Sequence, residues 1–162
     1  MARVFLGLGT NEGDRLVNIS RAAQALIDSG TVGVIRMATI CETEPVGGPP
    51  QEKFLNTAVE IATSLAPQDL LRCLKDLERQ LGRAPSAQRW GPRVIDVDLL
   101  LYDDCVINEP QLTIPHPQMH VRRFVLEPLA QLAPDVVHPV LKRTIRELLE
   151  ALPVTQSVVR SP

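Results

Sequence analysis

Aromatic residues are scarce in this 162-residue chain, at 3% of the sequence, so each ring invites a question about its purpose. Cysteine is also sparse. Cys41, Cys73 and Cys105 form neither a CxxC pair nor a zinc-ligand spacing, which predicts reduced thiols in a cytoplasmic protein. No hydrophobic run is long enough to span a membrane. We expect no secretory signal, because the apolar run near the N-terminus is short and broken by glycines.

The charge and length of the chain restrict the ligands it can bind and the number of domains it can form. A net charge of −2 provides no basic field for nucleic acid, so an anionic ligand must be held by local arginines and metal. Hydrophobic residues make up 44% of the sequence, which is enough for a core. No linker or repeat interrupts residues 1–162, so we expect one domain, with a loose tail from about residue 153. We also expect a monomer that binds neither nucleic acid nor membrane.

Hydrophobic spacing predicts strands and helices in a definite order. Strands are predicted at residues 4–8, 31–41, 54–63 and in the second half of 89–102, and helices at residues 14–29 and 67–82. This order is the βαββαβ pattern of a ferredoxin-like sandwich, an α+β fold with an antiparallel sheet. The helices should cover one face of the sheet and leave the other for loops and ligands. Extra C-terminal helices are predicted at residues 122–133 and after the capping box that begins at Thr144.

Two carboxylates interrupt the last predicted strand of this pattern. Asp96 and Asp98 are two residues apart, so in a strand they project side by side from one face. Two like charges in an apolar strand are costly unless a cation neutralises them, and Mg²⁺ binds carboxylates together with substrate phosphates. Arg89 and Arg93 add positive charge upstream, a combination that suits phosphoryl transfer. From these residues alone, a structural cluster of ion pairs stays an alternative.

Glycine and proline mark one turn and two loops. Gly9-Thr10-Asn11 ends the first predicted strand with turn residues, and we interpret the glycines there as allowing a close backbone approach. Residues 42–53 combine proline, glycine and polar residues, residues 83–88 combine proline with polar residues, and neither stretch has apolar periodicity. We therefore expect both loops to be mobile without ligand.

Several stretches of the chain form a set of motifs in a fixed order. The most specific is Arg89-Trp90-Gly91-Pro92-Arg93 joined to Asp96-Val97-Asp98. The others are residues 7–11, 43–47, 54–56, 81–83 and 112–117. With these motifs the chain, from about residue 3 to residue 152, resembles the 6-hydroxymethyl-7,8-dihydropterin pyrophosphokinase family of folate biosynthesis.

The resemblance implies a reaction and its cofactors. It implies transfer of the pyrophosphoryl group of ATP to the hydroxymethyl oxygen of 6-hydroxymethyl-7,8-dihydropterin, with release of AMP. Asp96 and Asp98 would hold two Mg²⁺ ions that bridge the ATP phosphates. Arg83 and Arg93, the other catalytic candidates, match residues in and beside a mobile loop that closes over ATP. We expect in-line attack by the pterin hydroxyl on the β-phosphorus, because no nucleophile–base pair for covalent catalysis stands out.

The resemblance also implies two sets of binding residues. The rings of Phe54 and Phe124 would sandwich the pterin, although phenylalanines alone would more often be core residues. Asn56 and the backbone around Thr43 and Val46 would read the hydrogen-bonding edge of the pterin. The residues matched to the nucleotide site are Glu78, Trp90, Leu99, Gln111, Thr113, His116 and Arg122.

Four positions depart from the family pattern. Pro85 stands where another loop arginine is frequent, so one phosphate contact is missing from the pattern. Gln111 and Pro117 replace an arginine and a tyrosine that touch ATP in some members. Phe54 replaces a frequent tyrosine and keeps the ring while losing the hydroxyl.

Two other classes of protein stay open on the sequence. One is a metal-dependent phosphodiesterase or nuclease that uses the same acids with water as the nucleophile. The aromatic pair, Asn56 and the lack of a basic surface argue against it. The other is a non-catalytic module that binds a pterin or a nucleotide, and the intact Asp96 and Asp98 argue against that.

Overall fold

The computed structural model describes residues 1–44, 50–82, 94–153 and 159–160. The predictions made for Val46, Arg83, Trp90 and Arg93 lie outside these ranges, as do those for residues 45–49 and 83–88 of the two loops. Among the described residues, no helix is long and apolar enough to cross a membrane.

The main sheet has the predicted ferredoxin-like order. Its strands are β1 (Ala2–Thr10), β2 (Val32–Met37), β3 (Cys41–Thr43), β4 (Phe54–Thr63), β5 (Asp96–Tyr102) and β8 (Val159–Arg160). They lie in the order β5–β1–β4–β3–β8, and β2 also pairs with β4. All pairings are antiparallel. Because β2 and β3 occupy one position beside β4, the arrangement is the βαββαβ fold, and the predicted fold class is confirmed.

The remaining elements are helices and a small second sheet. The helices are α1 (Arg15–Asp28), α2 (Pro67–Gln80), a short 3₁₀ helix (Met119–Val121), α3 (Arg123–Leu132) and α4 (Ile145–Glu150). The second sheet pairs β6 (Ile107–Asn108) with β7 (Thr113–Ile114). The predicted capping box is present, because Thr144 accepts from the Glu147 backbone amide and the Glu147 side chain accepts from that of Thr144.

Two hydrophobic clusters cover opposite faces of the sheet. Alternate residues of β1, such as Leu6 and Leu8, pack with Leu26 of α1 and Leu74 of α2. Phe5 points to the other face and belongs to a cluster that contains residues of α3 and α4. The expectation that one face stays free for ligands is therefore only partly right, because the C-terminal helices cover part of it.

One extra residue in β5 lets this strand contribute side chains to both hydrophobic clusters. Leu6 pairs with Leu99 and Phe5 pairs with Leu101, so Leu100 has no partner in β1. Leu99 packs in the α1/α2 cluster, whereas Leu100 and Leu101 both pack in the α3/α4 cluster. This bulge separates an apolar half of β5 from the half that carries the acids.

The single strand predicted at residues 31–41 is in fact two strands. The pairing with β4 shifts between Val34 and Arg36, and residues 38–40 leave the regular ladder. Side chains replace ladder bonds there. The hydroxyl of Thr57 donates to the Ala38 carbonyl at 2.8 Å, and Gln131 accepts from the Thr39 amide at 2.9 Å. Such long-range side-chain bonds leave no periodic signal in the sequence.

The C-terminal segment also differs from the expected loose tail. Val159–Arg160 forms β8, which pairs with Cys41 and Glu42 at the edge of β3. Two residues are too few to produce an alternating pattern, so hydrophobic spacing could not predict this strand.

Candidate active site

The strand register sets the candidate site residues in two rows across the sheet. Gly9 of β1 lies between Asn56 of β4 and Asp96 of β5. In the next row, Gly7 lies between Ala58 and Asp98. Directly paired residues share a face, and neighbouring strands are about 4.8 Å apart, so Asn56 and Asp96 stand roughly 10 Å apart. Two glycines therefore form the floor of a groove between an amide and a pair of carboxylates.

Gly9 allows the Asn56 side chain to lie over the backbone of β1. A Cβ atom at Gly9 would stand 2.9 Å from Asn56 Oδ1, closer than any side chain tolerates. At Gly7 the nearest atom, in the Leu100 side chain, would be 3.6 Å away, an ordinary contact. The close approach expected at this turn is thus that of the Asn56 side chain to the backbone of β1, and it requires glycine at position 9 but not at position 7.

Three residues predicted to bind the pterin come together at one end of the groove. Asn56 is 8% exposed, and its Nδ2 donates to Thr43 Oγ1 at 2.7 Å. Thr43 pairs with Phe54 across β3 and β4. Phe54 is partly exposed at the start of β4. A polar amide beside an accessible ring suits a flat heterocycle with a hydrogen-bonding edge.

Phe124 and Arg122 lie at the start of α3, which packs against β4 and β3. The Arg122 guanidinium carbon stands 5.6 Å from the centroid of the Phe124 ring, a cation–π distance. Arg122 also lowers the pKa of both Asp98 and His116 through its charge. It therefore links a predicted pterin ring to the predicted nucleotide site.

Three carboxylates crowd together at the beginning of β5. Burial and the charges of Asp96 and Glu78 together raise the pKa of Asp98 to about 7, against the opposing effects of Arg122 and Lys75. Glu78 is 2% exposed; its Oε2 accepts from the Val97 backbone amide at 2.9 Å, and its Oε1 lies 3.5 Å from Lys75 Nζ. Glu78 thus fixes the edge strand while adding negative charge beside the aspartates.

His116 is a neutral hydrogen-bond donor in this site. Burial and the Arg122 charge together lower its pKa to about 4, against the opposing effect of Asp96. Its Nδ1 accepts from the Gln118 backbone amide at 3.1 Å, so the proton of the neutral ring lies on Nε2. Its own amide donates to the Leu100 carbonyl at 3.0 Å, which anchors the residue to β5.

The other described residues predicted along the nucleotide lie in or near β5, the edge strand of the main sheet, and β7 of the small second sheet, which contacts β5. Thr113 is in β7, and Gln111 is exposed just before it. The Leu99 side chain packs in the α1/α2 cluster, so a nucleotide contact there would involve its backbone. A cavity of about 370 Å³ opens beside this segment. Its polar lining residues are Asn108, Thr113, His116, His120 and His138.

The donor set at β5 fits Mg²⁺ bound together with a phosphate ligand. The described residues contain no group of three or more His, Cys, Asp or Glu side chains that could hold a metal ion by themselves. Mg²⁺ commonly takes only one or two carboxylates and completes its shell with water and phosphate oxygens. The raised pKa of Asp98 also indicates a negative charge that a cation would stabilise.

Solved structures share this fold. The wild-type HPPK-DHPS of Plasmodium falciparum superposes with a TM-score of 0.70 at 19% identity, over 93% of this chain and 43% of that one. A second structure, HPPK-DHPS in complex with substrates, gives a TM-score of 0.74 at 15% identity, again over 93% of this chain and 43% of that one. The chain thus spans less than half of these longer proteins and has the fold of one part of them.

Sequence similarity defines the family. Residues 5–134 match 7,8-dihydro-6-hydroxymethylpterin-pyrophosphokinase (HPPK). The 2-amino-4-hydroxy-6-hydroxymethyldihydropteridine pyrophosphokinase of Aquifex aeolicus is 40% identical, over 91% of this chain and 90% of that protein. The proteins of the same name from Bacillus subtilis and Methylorubrum extorquens are 44% and 40% identical, over 82% and 94% of this chain and 78% and 94% of their own lengths. The chain therefore belongs to the HPPK family, and the resemblance found in its motifs is confirmed.

Two features of the site escaped sequence reasoning. The approach of Asn56 over Gly9 depends on pairing between strands that are 47 positions apart, which no local pattern reveals. Lys75 lies one helical turn before Glu78, and that spacing could have indicated the ion pair.

The glycine floor leads to a first prediction. Gly9→Ala should weaken pterin binding by roughly tenfold or more, because the new methyl group displaces the Asn56 amide. Gly33→Ala is the control, on β2 and outside the groove, and it should leave pterin affinity within about twofold because the nearest atom to its new methyl group, the Ala62 carbonyl oxygen, would be 4.0 Å away. Calorimetric titration of both variants checks this. Equal pterin affinity in the two variants would contradict the assigned role of Gly9.

The crowded carboxylates lead to a second prediction. The folded-state pKa of Asp98 lies above its usual value of 3.8, so stability from this group is lost as pH rises from about 4 to about 7. Without divalent ions, Asp98→Asn should therefore raise the free energy of unfolding at pH 8 by roughly 1–3 kcal/mol, given about 1.4 kcal/mol per pKa unit.

Urea unfolding at pH 4 and pH 8 measures this effect. The difference between Asp98→Asn and the wild type should disappear at pH 4, where both carry a neutral side chain. Asp104→Asn, which changes an exposed acid after β5, serves as the control and should show no such dependence. A variant at position 98 that is no more stable than the wild type at pH 8 would show that Asp98 is not under charge strain.

Proposed function

We infer that this protein transfers the pyrophosphoryl group of ATP to the hydroxymethyl oxygen of 6-hydroxymethyl-7,8-dihydropterin, the reaction of its family in folate biosynthesis. The observation that carries the inference is the row in which Gly9 lies between Asn56 and Asp96. One end of that groove offers an amide and an accessible ring, and the other offers crowded carboxylates. A pterin and the phosphates of a nucleotide would therefore meet over the two glycines.

At the pterin end, the chain binds and orients the acceptor. The Asn56 amide, held by Thr43 Oγ1 at 2.7 Å, presents a fixed edge to the heterocycle. The rings of Phe54 and Phe124 come from β4 and α3, two elements in mutual contact, and would stack on the two faces of the pterin. This arrangement restricts the hydroxymethyl group to the acid side of the groove, which lowers the entropic part of the barrier.

At the nucleotide end, the chain holds charge and donates hydrogen bonds. Asp96 and Asp98 are the proposed ligands of two Mg²⁺ ions, which when bound neutralise charge on the phosphate oxygens. His116 Nε2 would donate to a phosphate or ribose oxygen without adding a charge, because its ring is neutral. Arg122 supplies positive charge near Asp98. Arg83, Arg93 and Trp90, outside the described residues, are proposed to complete the nucleotide site from their loop.

The carboxylates position phosphates and do not act as a nucleophile in this scheme. The pterin hydroxyl attacks the β-phosphorus in line, the bond between that phosphorus and the oxygen bridging to the α-phosphate breaks, AMP leaves with that oxygen, and the hydroxyl proton passes to water. The scheme needs no covalent enzyme intermediate. We further propose that the protein acts in the cytoplasm, as a single domain and as a monomer, on these two small-molecule substrates.

A coupled assay of AMP release tests the proposal directly. AMP should appear only when ATP, Mg²⁺ and the pterin are all present. Asp96→Ala and Asp98→Ala should each fold and lose roughly 100-fold or more of the activity, since each removes part of the metal's electrostatic contribution. Release of AMP or phosphate without pterin would favour a phosphodiesterase, and binding without turnover would favour a non-catalytic module. Near wild-type turnover in either variant at saturating Mg²⁺ would refute the role of the acids.

Stacking on Phe124 leads to a further prediction. Phe124→Ala should weaken pterin binding by roughly 1–3 kcal/mol while leaving the affinity for an ATP analogue nearly unchanged. Val125→Ala changes the next residue of α3, which is buried in the α3/α4 cluster, and should lower stability without selecting between the ligands. Calorimetry on both variants decides the matter. Equal losses for both ligands in Phe124→Ala would make it a core residue.

A further inference from the structure

Asn11 is a buried amide at the point where β1 leads into α1. It is 1% exposed, and its Nδ2 donates to Gln51 Oε1 and to the backbone carbonyl of Glu52, both at 2.8 Å. A backbone carbonyl can only accept, so the nitrogen of the amide is the atom that faces Glu52. Both amide hydrogens are therefore directed at the segment that enters β4.

Arg15, four residues later at the start of α1, contacts the same segment and also Glu42 of β3. Its Nη1 donates to the Lys53 carbonyl at 2.8 Å and lies 2.9 Å from Glu42 Oε2. The consecutive carbonyls of Glu52 and Lys53 thus accept bonds from Asn11, the first residue after β1, and from Arg15, the first residue of α1. Lys53 directly precedes Phe54, and Glu42 directly precedes Thr43.

A second buried amide, Asn18 in the first turn of α1, forms hydrogen bonds to residues close to it in the chain. Asn18 is 9% exposed, and its Nδ2 donates to Thr10 Oγ1 at 3.2 Å and to the Glu12 carbonyl at 2.7 Å. Both of these bonds stay within the segment that joins β1 to the first turn of α1. Asn18 therefore stabilises the turn itself, whereas Asn11 connects the turn to the strand that carries Phe54 and Asn56.

We propose that Asn11 is a positioning residue for the pterin site: it fixes the entry of β4 and thereby the orientation of Phe54 and Asn56. The inference rests on the proposed function, since it assigns the pterin as the ligand that these residues meet. The register supports it, because Thr10 pairs with Leu55 and Gly9 with Asn56 immediately beyond Asn11. A shift at Asn11 would be passed directly to the residues that contact the pterin.

The test compares two isosteric substitutions. Asn11→Asp removes both donors and leaves only acceptors that face the Glu52 carbonyl, while Asn18→Asp makes the same chemical change in the control amide. Affinities are measured for 6-hydroxymethyl-7,8-dihydropterin in the presence of a non-hydrolysable Mg·ATP analogue, and for that analogue alone. Asn11→Asp should weaken pterin binding at least tenfold and leave analogue binding within twofold. Asn18→Asp should leave both within twofold.

A readout without ligand separates positioning from general loss of stability. Amide signals of Phe54 and Asn56 in the ligand-free protein should shift in Asn11→Asp and stay in place in Asn18→Asp. If Asn11→Asp does not fold, Arg15→Gln provides the second variant, because its side chain is 27% exposed and still contacts the Lys53 carbonyl and Glu42. It should weaken pterin binding selectively, by severalfold.

Different outcomes contradict the positioning role of Asn11 and the proposed function. Unchanged pterin affinity in Asn11→Asp, or equal loss of both ligands, overturns the positioning role while the wild type still binds and turns over. An equal pterin loss in Asn18→Asp overturns it too, since the effect would then belong to the turn as a whole. A wild-type protein that binds no pterin contradicts the proposed function instead.

Discussion

Like charges crowded at the start of β5 are the constraint on which the candidate site depends. Burial raises the pKa of Asp98, and the charges of Asp96 on the same strand face and of buried Glu78 on α2 raise it as well. Folding alone cannot relieve this repulsion, because the Lys75 and Arg122 charges oppose it only in part. The fold therefore holds a site that a divalent cation and a phosphate ligand would complete. Packing of the apolar half of β5, beyond the bulge at Leu100, offsets the electrostatic cost of the crowded carboxylates.

The same sheet sets the distance between the two ends of the candidate site. Gly7 and Gly9 keep the floor of the groove free of side chains, and the pairing of β1 with both β4 and β5 fixes Asn56 opposite Asp96. Sites built on paired strands hold their geometry better than sites on loops. The glycines are thus needed both for access and for the position of the Asn56 amide, which a methyl group at Gly9 would displace.

Local patterns in the sequence predicted much of this molecule. Alternation and helical spacing gave the βαββαβ order, and the Asp-x-Asp spacing placed Asp96 and Asp98 on one face, because both depend on residues close in the chain. The break between β2 and β3, the bulge at Leu100 and the short strand β8 were not predicted. Each depends on contacts between distant segments, such as Thr57 with Ala38, whose partners leave no periodic trace. For the same reason, the tether from Asn11 to Glu52 was visible only in the folded chain.

The central claim is that the acids of β5 form a cation site that binds a metal ion fully only when Asp98 is ionised. Calorimetric titration with a Mg·ATP analogue in buffers of different ionisation enthalpy measures the protons released on binding. The account predicts release of close to one proton at pH 6, almost none at pH 8.5, and none from Asp98→Asn at either pH, because metal ligation requires the carboxylate. Binding by the wild type with no proton release at pH 6 would contradict it.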